Sequence, residues 1–470
     1  MSTERTPPQG DVAIARASRT AVLLAVLAGF FGSLDTALNI AFPDLSEHFD
    51  LGVSGLQWVV VCFVLAYGGS LLGAGQLGDR FDPHRVLGVG ASSATVALVI
   101  CALAPTFEVF LVGRVIQGVS TALVMASAPA LITLTASDDA KGQAIGRFQT
   151  SAAIGLAVGP ILGGPLVRVG GWPAVFWFRV PLSLVLLVLS LCMVDRRPSA
   201  DRPRADVAGG LLFTVVLTAG LLAINGGRTL GWTSPAVLGS GLVAATALWS
   251  LPRVARRTSH PLLDPGLFRE GDFVAANVLA VTSNGAMFAT WLLLPGLLVD
   301  QFGWEVLAAG CCLALSPAAT AIVAPKAGRR ADRGRSGPLV IAGLAIMACS
   351  MLVLGLAGTV SDSRPIFRSA AIVVGLLGVG AGLGSFAVPN MKTIMGALPP
   401  DRQGVAGGLA LLTRTAGIVA AVAASSALFD AIEPSRGYDA AFRTVFTVMA
   451  AVLAGASLVG TLRLRRNAGL

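Results

Sequence analysis

Long apolar runs separated by short polar connections fill the chain almost from end to end. They begin near Ala21, Gly55, Val86, Phe107, Gly142, Ala174, Asp206, Ala236, Phe273, Glu305, Pro338, Arg368, Gln403 and Ala440. Each holds roughly the 20 apolar residues that a helix needs to cross a bilayer. Fourteen membrane helices are therefore expected, and an even number places both termini on one side. The two longest polar connections, Asp195 to Ala205 and Pro252 to Asp272, bracket two helices and leave six before and six after. The expected architecture is an all-α integral membrane protein with two six-helix bundles and an inserted pair. Its parts are a tail over 1–20, a first bundle over 21–195, the inserted helices and their flanking loops over 196–272, a second bundle over 273–462 and a tail over 463–470. A short echo supports duplication: GQLGDR (Gly75 to Arg80) and GRRADR (Gly328 to Arg333) share G-x-x-x-D-R, each in the loop after the second helix of its bundle.

Composition agrees with this reading. A chain of 470 residues with 54% hydrophobic and 13% charged residues, mean hydropathy +0.77, is far too apolar for a soluble protein of that length. The net charge of +9 comes from basic residues in short loops, so it reports topology and argues against a nucleic-acid partner. Arg168, Arg228, Arg364, Arg368, Arg436 and Arg443 fall on one face, and Arg114, Arg179 and Arg414 fall inside spans. All the other Lys and Arg residues fall on the opposite face, which the positive-inside rule makes cytoplasmic, with both termini there. A multi-pass protein of a bacterial inner membrane is expected, with its polar N-terminal tail retained, since that tail lacks a cleavage-site pattern. Cys62, Cys101, Cys192, Cys311, Cys312 and Cys349 lie in apolar runs without metal or disulfide spacing. His48, His84 and His260 lie in loops, and neither a nucleophile elbow nor a phosphate-binding loop is present. No enzyme, no ATP-driven pump, no metal and no cofactor is expected.

The chemistry concentrates on Asp35, a carboxylate inside the first apolar run, where an ionised group is costly unless it is paired, hydrated or protonated. Counting 1.5 Å per residue, Arg114 and Asp35 both lie about 12–13 Å from the same membrane face, so a direct or water-mediated pair is expected. Arg179 lies near a helix end, where its side chain has the length to snorkel. Arg414 lies deep enough in its helix to face a cavity. Asn39, Gln117, Asn277, Asn284, Trp291 and Asn390, with Arg179 and Arg414, are the candidate lining of a substrate cavity. Gly155, Gly159, Gly163 and Gly164 allow close packing of the fifth helix, and Pro160 removes one of its hydrogen bonds, which together read as a pliable seam. Asp79 sits just before the third helix, where a carboxylate favours a helix N-terminus.

Several of these segments resemble the major facilitator superfamily, in particular its fourteen-helix drug:proton antiporter branch. Gly75 to Arg85 is similar to the superfamily's signature loop, with Asp79 and Arg80 matched but Asp82 and Pro83 where Gly and Arg are usual. SLDTALNIAFP (Ser33 to Pro43) resembles the branch's helix-one pattern at Leu34, Asp35, Asn39, Ala41 and Pro43, with Thr36 one place early. LVGRVIQGVSTAL resembles helix four at Arg114, Gln117 and Gly118, and GLAVGPILGGPLV resembles the antiporter pattern of helix five. FRVP carries Arg179 where the branch usually has Asn. The resemblance implies rocking of two bundles about a midplane site, with Asp35 and Arg114 coupling protons to export of small amphipathic organic molecules. Gly75, Asp79, Arg80, Gly328, Asp332 and Arg333 are then gate residues that favour the outward-facing state. The implied partners are the lipid bilayer and a small-molecule substrate, and the chain is expected to be a monomer. By charge, neutral, monocationic or weakly acidic substrates are favoured over dications. An importer or facilitator on the same fold, and a receptor or assembly subunit that moves nothing, stay open as alternatives.

Overall fold

The computed structural model describes residues 9–51, 53–137, 139–192, 206–229, 231, 233–255, 270–357 and 365–467. The connection from Asp195 to Ala205, His260 and most of the Pro252 to Asp272 loop lie outside the described residues. The principal helices are α1 (Gln9–Ser33), α2 (Val53–Phe81), α3 (Pro83–Ala102), α4 (Phe107–Thr135), α5 (Lys141–Gly170), α6 (Val180–Cys192), α7 (Val207–Thr229), α8 (Pro235–Ala255), α9 (Gly271–Gly296), α10 (Leu315–Asp332), α11 (Ser336–Ala357), α12 (Pro365–Gly396), α13 (Gln403–Arg436) and α14 (Tyr438–Asn467). No strand occurs among the described residues. Among the described residues thirteen spans are long and apolar enough to cross a membrane, and in α7 the apolar stretch is the shorter Ala208–Gly220.

Two boundaries differ from expectation. Helix begins at Gln9 instead of Ala21, so much of the supposed tail is helical. The first span is also not one continuous α-helix. After Ser33 it tightens into a 3₁₀ segment, Leu34–Ala41, before resuming as Phe42–His48. A 3₁₀ stretch within a span often marks a functional hinge, and Asp35 lies in its first turn.

The turn after α2 also departs from the sequence reading. Asp79 is not the cap of α3; it lies within the last turns of α2. Asp82 takes the capping role, its side chain accepting a hydrogen bond from the His84 N–H at 2.9 Å, with Pro83 as the first helical residue. Asp82 has φ +86°, a conformation that ordinarily favours glycine. The resembled motif's glycine position is thus met by an Asp, a residue type enriched at positive φ.

The inserted pair packs α7 against α8 and lays α7 on α2. There the Thr214 hydroxyl donates to the Gly69 carbonyl at 2.7 Å. One apolar core is built around Phe31, Phe110, Phe148 and Phe176, and another around Phe386, Phe442 and Phe446. Across the two halves, α5 meets α10 and α12, while α13 meets α2 and α4. These four contacts frame the interior.

Candidate functional site

Asp35 is held by three residues of the first half. Arg114 on α4 grips it with both terminal nitrogens, Nη1 to Oδ1 at 2.8 Å and Nη2 to Oδ2 at 2.9 Å. Gln117, one turn further on α4, donates from Nε2 to Oδ1 at 3.0 Å and accepts from Arg114 Nη1 at 2.8 Å. Arg114 Nε donates to the Val59 carbonyl of α2 at 3.1 Å, and its guanidinium lies 4.4 Å from the Phe63 ring centre. Arg179, immediately before α6, adds a second ion pair from Nη1 to Oδ1 at 2.8 Å. With Asp35 ionised the cluster holds two guanidinium groups and one carboxylate, a surplus of one positive charge. Both arginines are fully buried, whereas the Asp35 side chain keeps 17% of its surface.

This arrangement corrects two assignments. Arg179 does not snorkel, because its long side chain turns inward over the Phe31 ring to reach the carboxylate. Gln117 and Arg179 therefore belong to the carboxylate cluster and not to a cavity wall. Arg179 fits its place incompletely: Nε and Nη2 are buried without a hydrogen-bond partner among the described residues.

The 3₁₀ segment packs on the glycine face of α5. A Cβ on Gly155 would lie 2.6 Å from the Phe30 carbonyl, one on Gly159 would collide with Thr36 Oγ1, and one on Gly163 would lie 2.9 Å from the Ala37 carbonyl. Gly164 does not share this face; no atom lies within 4 Å of its Cβ position, and it lines a cavity instead. Pro160 cannot donate to the carbonyl four residues back, that of Leu156. Thr36 Oγ1 approaches that same carbonyl at 3.4 Å from across the helix pair. The proline's missing bond is thus partly replaced by the element that carries Asp35.

At the face rich in basic residues the two halves cap one another. Asp79 of α2 accepts hydrogen bonds from the Gly404 and Val405 N–H groups at 2.5 and 2.9 Å, at the N-terminus of α13. Asp332 of α10 accepts from Gly142 and Gln143 at 2.8 and 2.9 Å, at the N-terminus of α5. A carboxylate there satisfies orphan N–H groups and meets the positive end of the helix dipole. Close approach needs Gly75 against Gly404 and Gly328 against Gly142, since a Cβ on either would collide with the facing backbone. Lys392 pairs with Asp332 at 2.8 Å. Arg80 lies over the Phe81 ring, and Arg333 remains exposed at the end of α10.

Towards the opposite face lies a cavity of about 700 Å³ between α5 and the α9–α10 side, with Asn39, Pro160, Arg168 and Trp291 in its wall. Deeper, two cavities of about 40 Å³ each share Gln149, Asn284 and Arg414; Asn390 lines one of them. Leu156 borders both the large cavity and one of the small ones. Asn277 lines none of these; its amide donates to Phe273 O of its own helix at 2.9 Å.

Sequence reasoning missed Gln149, Leu156, Lys392 and the receiving helix N-termini. A signal for the last was present: Gly142-x-x-x-Gly146 and Gly404-x-x-x-Gly408 repeat one another at the starts of α5 and α13.

The sequence comparisons fit this geometry. The chain is 31% identical over 405 residues to the multidrug resistance protein Stp of Mycobacterium tuberculosis, covering 85% of this chain and 74% of that protein. It is 28% identical over 454 residues to a methylenomycin A resistance protein of Bacillus subtilis, covering 95% of each. Among solved structures it superposes on the human organic anion transporter MFSD10 with a TM-score of 0.70, covering 94% of this chain and 99% of that one. At 15% identity that likeness concerns the fold alone. The family model described as Major Facilitator Superfamily matches residues 22–422 and 276–469, and with thirteen apolar spans and paired halves behind that match, the chain belongs to this superfamily.

Proposed function

We propose that the protein is a proton-coupled antiporter that exports small amphipathic organic molecules by alternating access across a bacterial inner membrane. Its termini and the capped face lie in the cytoplasm, and the chain acts as a monomer without cofactor or metal. The observation that carries this reading is the buried cluster in which Asp35, on a 3₁₀ break, is shared by Arg114 and Arg179. Guanidinium neighbours favour the carboxylate, and their withdrawal in a low-dielectric site favours the protonated acid. A proton arriving from outside takes the place of an arginine contact on Asp35, the bundles rock, and the proton leaves inside as the arginines return. Relatives named for multidrug and antibiotic resistance support export of organic molecules.

The conformer fits an outward-facing stage of such a cycle. Its basic face is sealed by the reciprocal caps, and its large cavity lies towards the other side. The test is efflux from cells, and uptake by inverted vesicles under an imposed proton gradient, across a panel of dications, monocations, neutral compounds and carboxylates. Asp35→Asn is expected to abolish gradient-driven transport while the protein stays folded and monodisperse. Full transport by the variant removes Asp35 from the mechanism.

A further inference from the structure

Arg414 is the deep guanidinium that has no counter-charge among the described residues. It lies 11 residues into α13, about 16 Å along the helix and so near the middle of a hydrocarbon core roughly 30 Å thick. Arg114 and Arg179 share Asp35, and Lys392 has Asp332. Arg414 makes no hydrogen bond or ion pair among the described residues, and its electrostatic neighbour is the phenol of Tyr67. No acid lines either small cavity it borders. An ionised group at that depth is costly unless paired or hydrated, and intramembrane charges mark substrate and ion pathways.

The surroundings define what would pair with it. Asn284 and Asn390 each donate one amide N–H to a carbonyl, those of Ala280 and Ala276, at 2.8 and 3.0 Å, and each keeps a second N–H that can donate to an anion. Gln149 adds a further amide, and Phe386 and Met287 supply apolar wall. Counting Asp35 as ionised, this deep interior still holds an excess of positive charge, which disfavours a cation. A carboxylate matches the planar fork of a guanidinium in two parallel hydrogen bonds. At about 40 Å³ each cavity has room for little more than water in this conformer, so the site is occluded, with Leu156 between it and the outer cavity.

We propose that the exported substrate is an amphipathic organic acid, whose carboxylate pairs with Arg414 in the chamber where α5 faces α9, α12 and α13. This assignment rests on the export reading and narrows its substrate class to acids.

The experiment is equilibrium binding to the purified full chain in detergent, using naphthylacetate, anthracenecarboxylate and dansylglycine, each against its methyl ester, with naphthylmethylammonium as the cation. Wild type is expected to prefer an acid over its ester by about tenfold, the scale of one charged hydrogen-bonding contact. Arg414→Gln is expected to lower the acid to the level of its ester, and Arg414→Lys to keep part of the preference. Elution profile and thermal melting check that each variant is folded. If Arg414→Gln does not fold, the wild-type comparison and Arg414→Lys decide. Equal binding of ester or ammonium by wild type, a preference that survives Arg414→Gln, or no binding of any acid overturns the proposal.

Proteoliposomes with an imposed pH gradient separate this proposal from the reading beneath it. Acids that bind through Arg414 but are not moved by the gradient sink antiport and leave the subsite. Gradient-driven movement of cations alone, indifferent to Arg414→Gln, sinks the subsite and leaves antiport.

Discussion

Removing the Asp79 carboxylate should open the capped face. In the closed conformer its two oxygens receive the Gly404 and Val405 N–H groups; once the halves separate, water serves all three groups. The cap therefore contributes to the difference between conformers. Loss of a helix N-cap costs about 0.5–2 kcal/mol, and a charge at a helix N-terminus adds about 0.3–1 kcal/mol. A combined value of about 2 kcal/mol changes the closed-to-open ratio roughly 30-fold. Asp79→Asn keeps an acceptor and loses the charge, so its shift should be smaller, about fivefold. The assay uses a background in which the six native cysteines are replaced and a single cysteine stands at Ile394, a buried residue of the Arg414 chamber. An impermeant maleimide is applied from the basic face, and labelling should rise in Asp79→Ala and again when Asp332→Ala is added. Labelling of Asp79→Ala at the wild-type rate, with the cysteine fully reactive after denaturation, would refute the reasoning and leave Asp79 as a charged residue at the end of α2 without a part in gating.

The two arginines on Asp35 should differ in their effect on stability. Arg114→Leu removes the bidentate partner of a buried carboxylate and should cost about 3–5 kcal/mol, whereas Arg179→Leu, which removes two buried nitrogens without partners, should stay within about 1 kcal/mol. Thermal unfolding in detergent reads both, and the reverse order would overturn the account of the cluster. At the α1–α5 seam, Thr36→Val should cost about 1 kcal/mol by leaving the Leu156 carbonyl unpartnered, with Thr36→Ser near wild type. Gly159→Val should cost more, about 1–3 kcal/mol, because its side chain would drive the 3₁₀ segment off α5; a wild-type melting temperature would show that the seam yields freely.

The spans were legible because bilayer thickness imposes a length on every apolar run. The Asp35–Arg114 pair was legible for a related reason: helices of known rise convert residue counts into depth, and both positions gave the same depth. Arg179 escaped that arithmetic because backbone depth does not fix where a long side chain ends. Asp79 was assigned to the helix that follows it in sequence, although its partners are on α13, more than 300 residues away. No periodicity reports a contact of that kind. The 3₁₀ segment was equally hidden, since Leu34–Ala41 is apolar enough to continue an α-helix and its tightening reflects packing against glycines of another helix. The cavities around Arg414 arise only where the halves meet. The sequence placed Arg414 deep in its helix without showing that no carboxylate pairs with it among the described residues.

The reciprocal caps make the sealed face a door bolted along both edges. Asp79 reaches from the first bundle into the second and Asp332 from the second into the first, so neither bundle carries its own fastening. A rigid body pinned at two separated points cannot swing about one of them without straining the other, and passage requires both to release together. If one bolt is drawn, the remaining one becomes a pivot and the opening is a slot along one edge. Such a slot admits water and small ions before it admits a bulky solute, and a gradient then drains without moving cargo. On the antiport proposed above, duplicating the fastening would guard the energy store of the membrane as much as it would set the order of the transport steps.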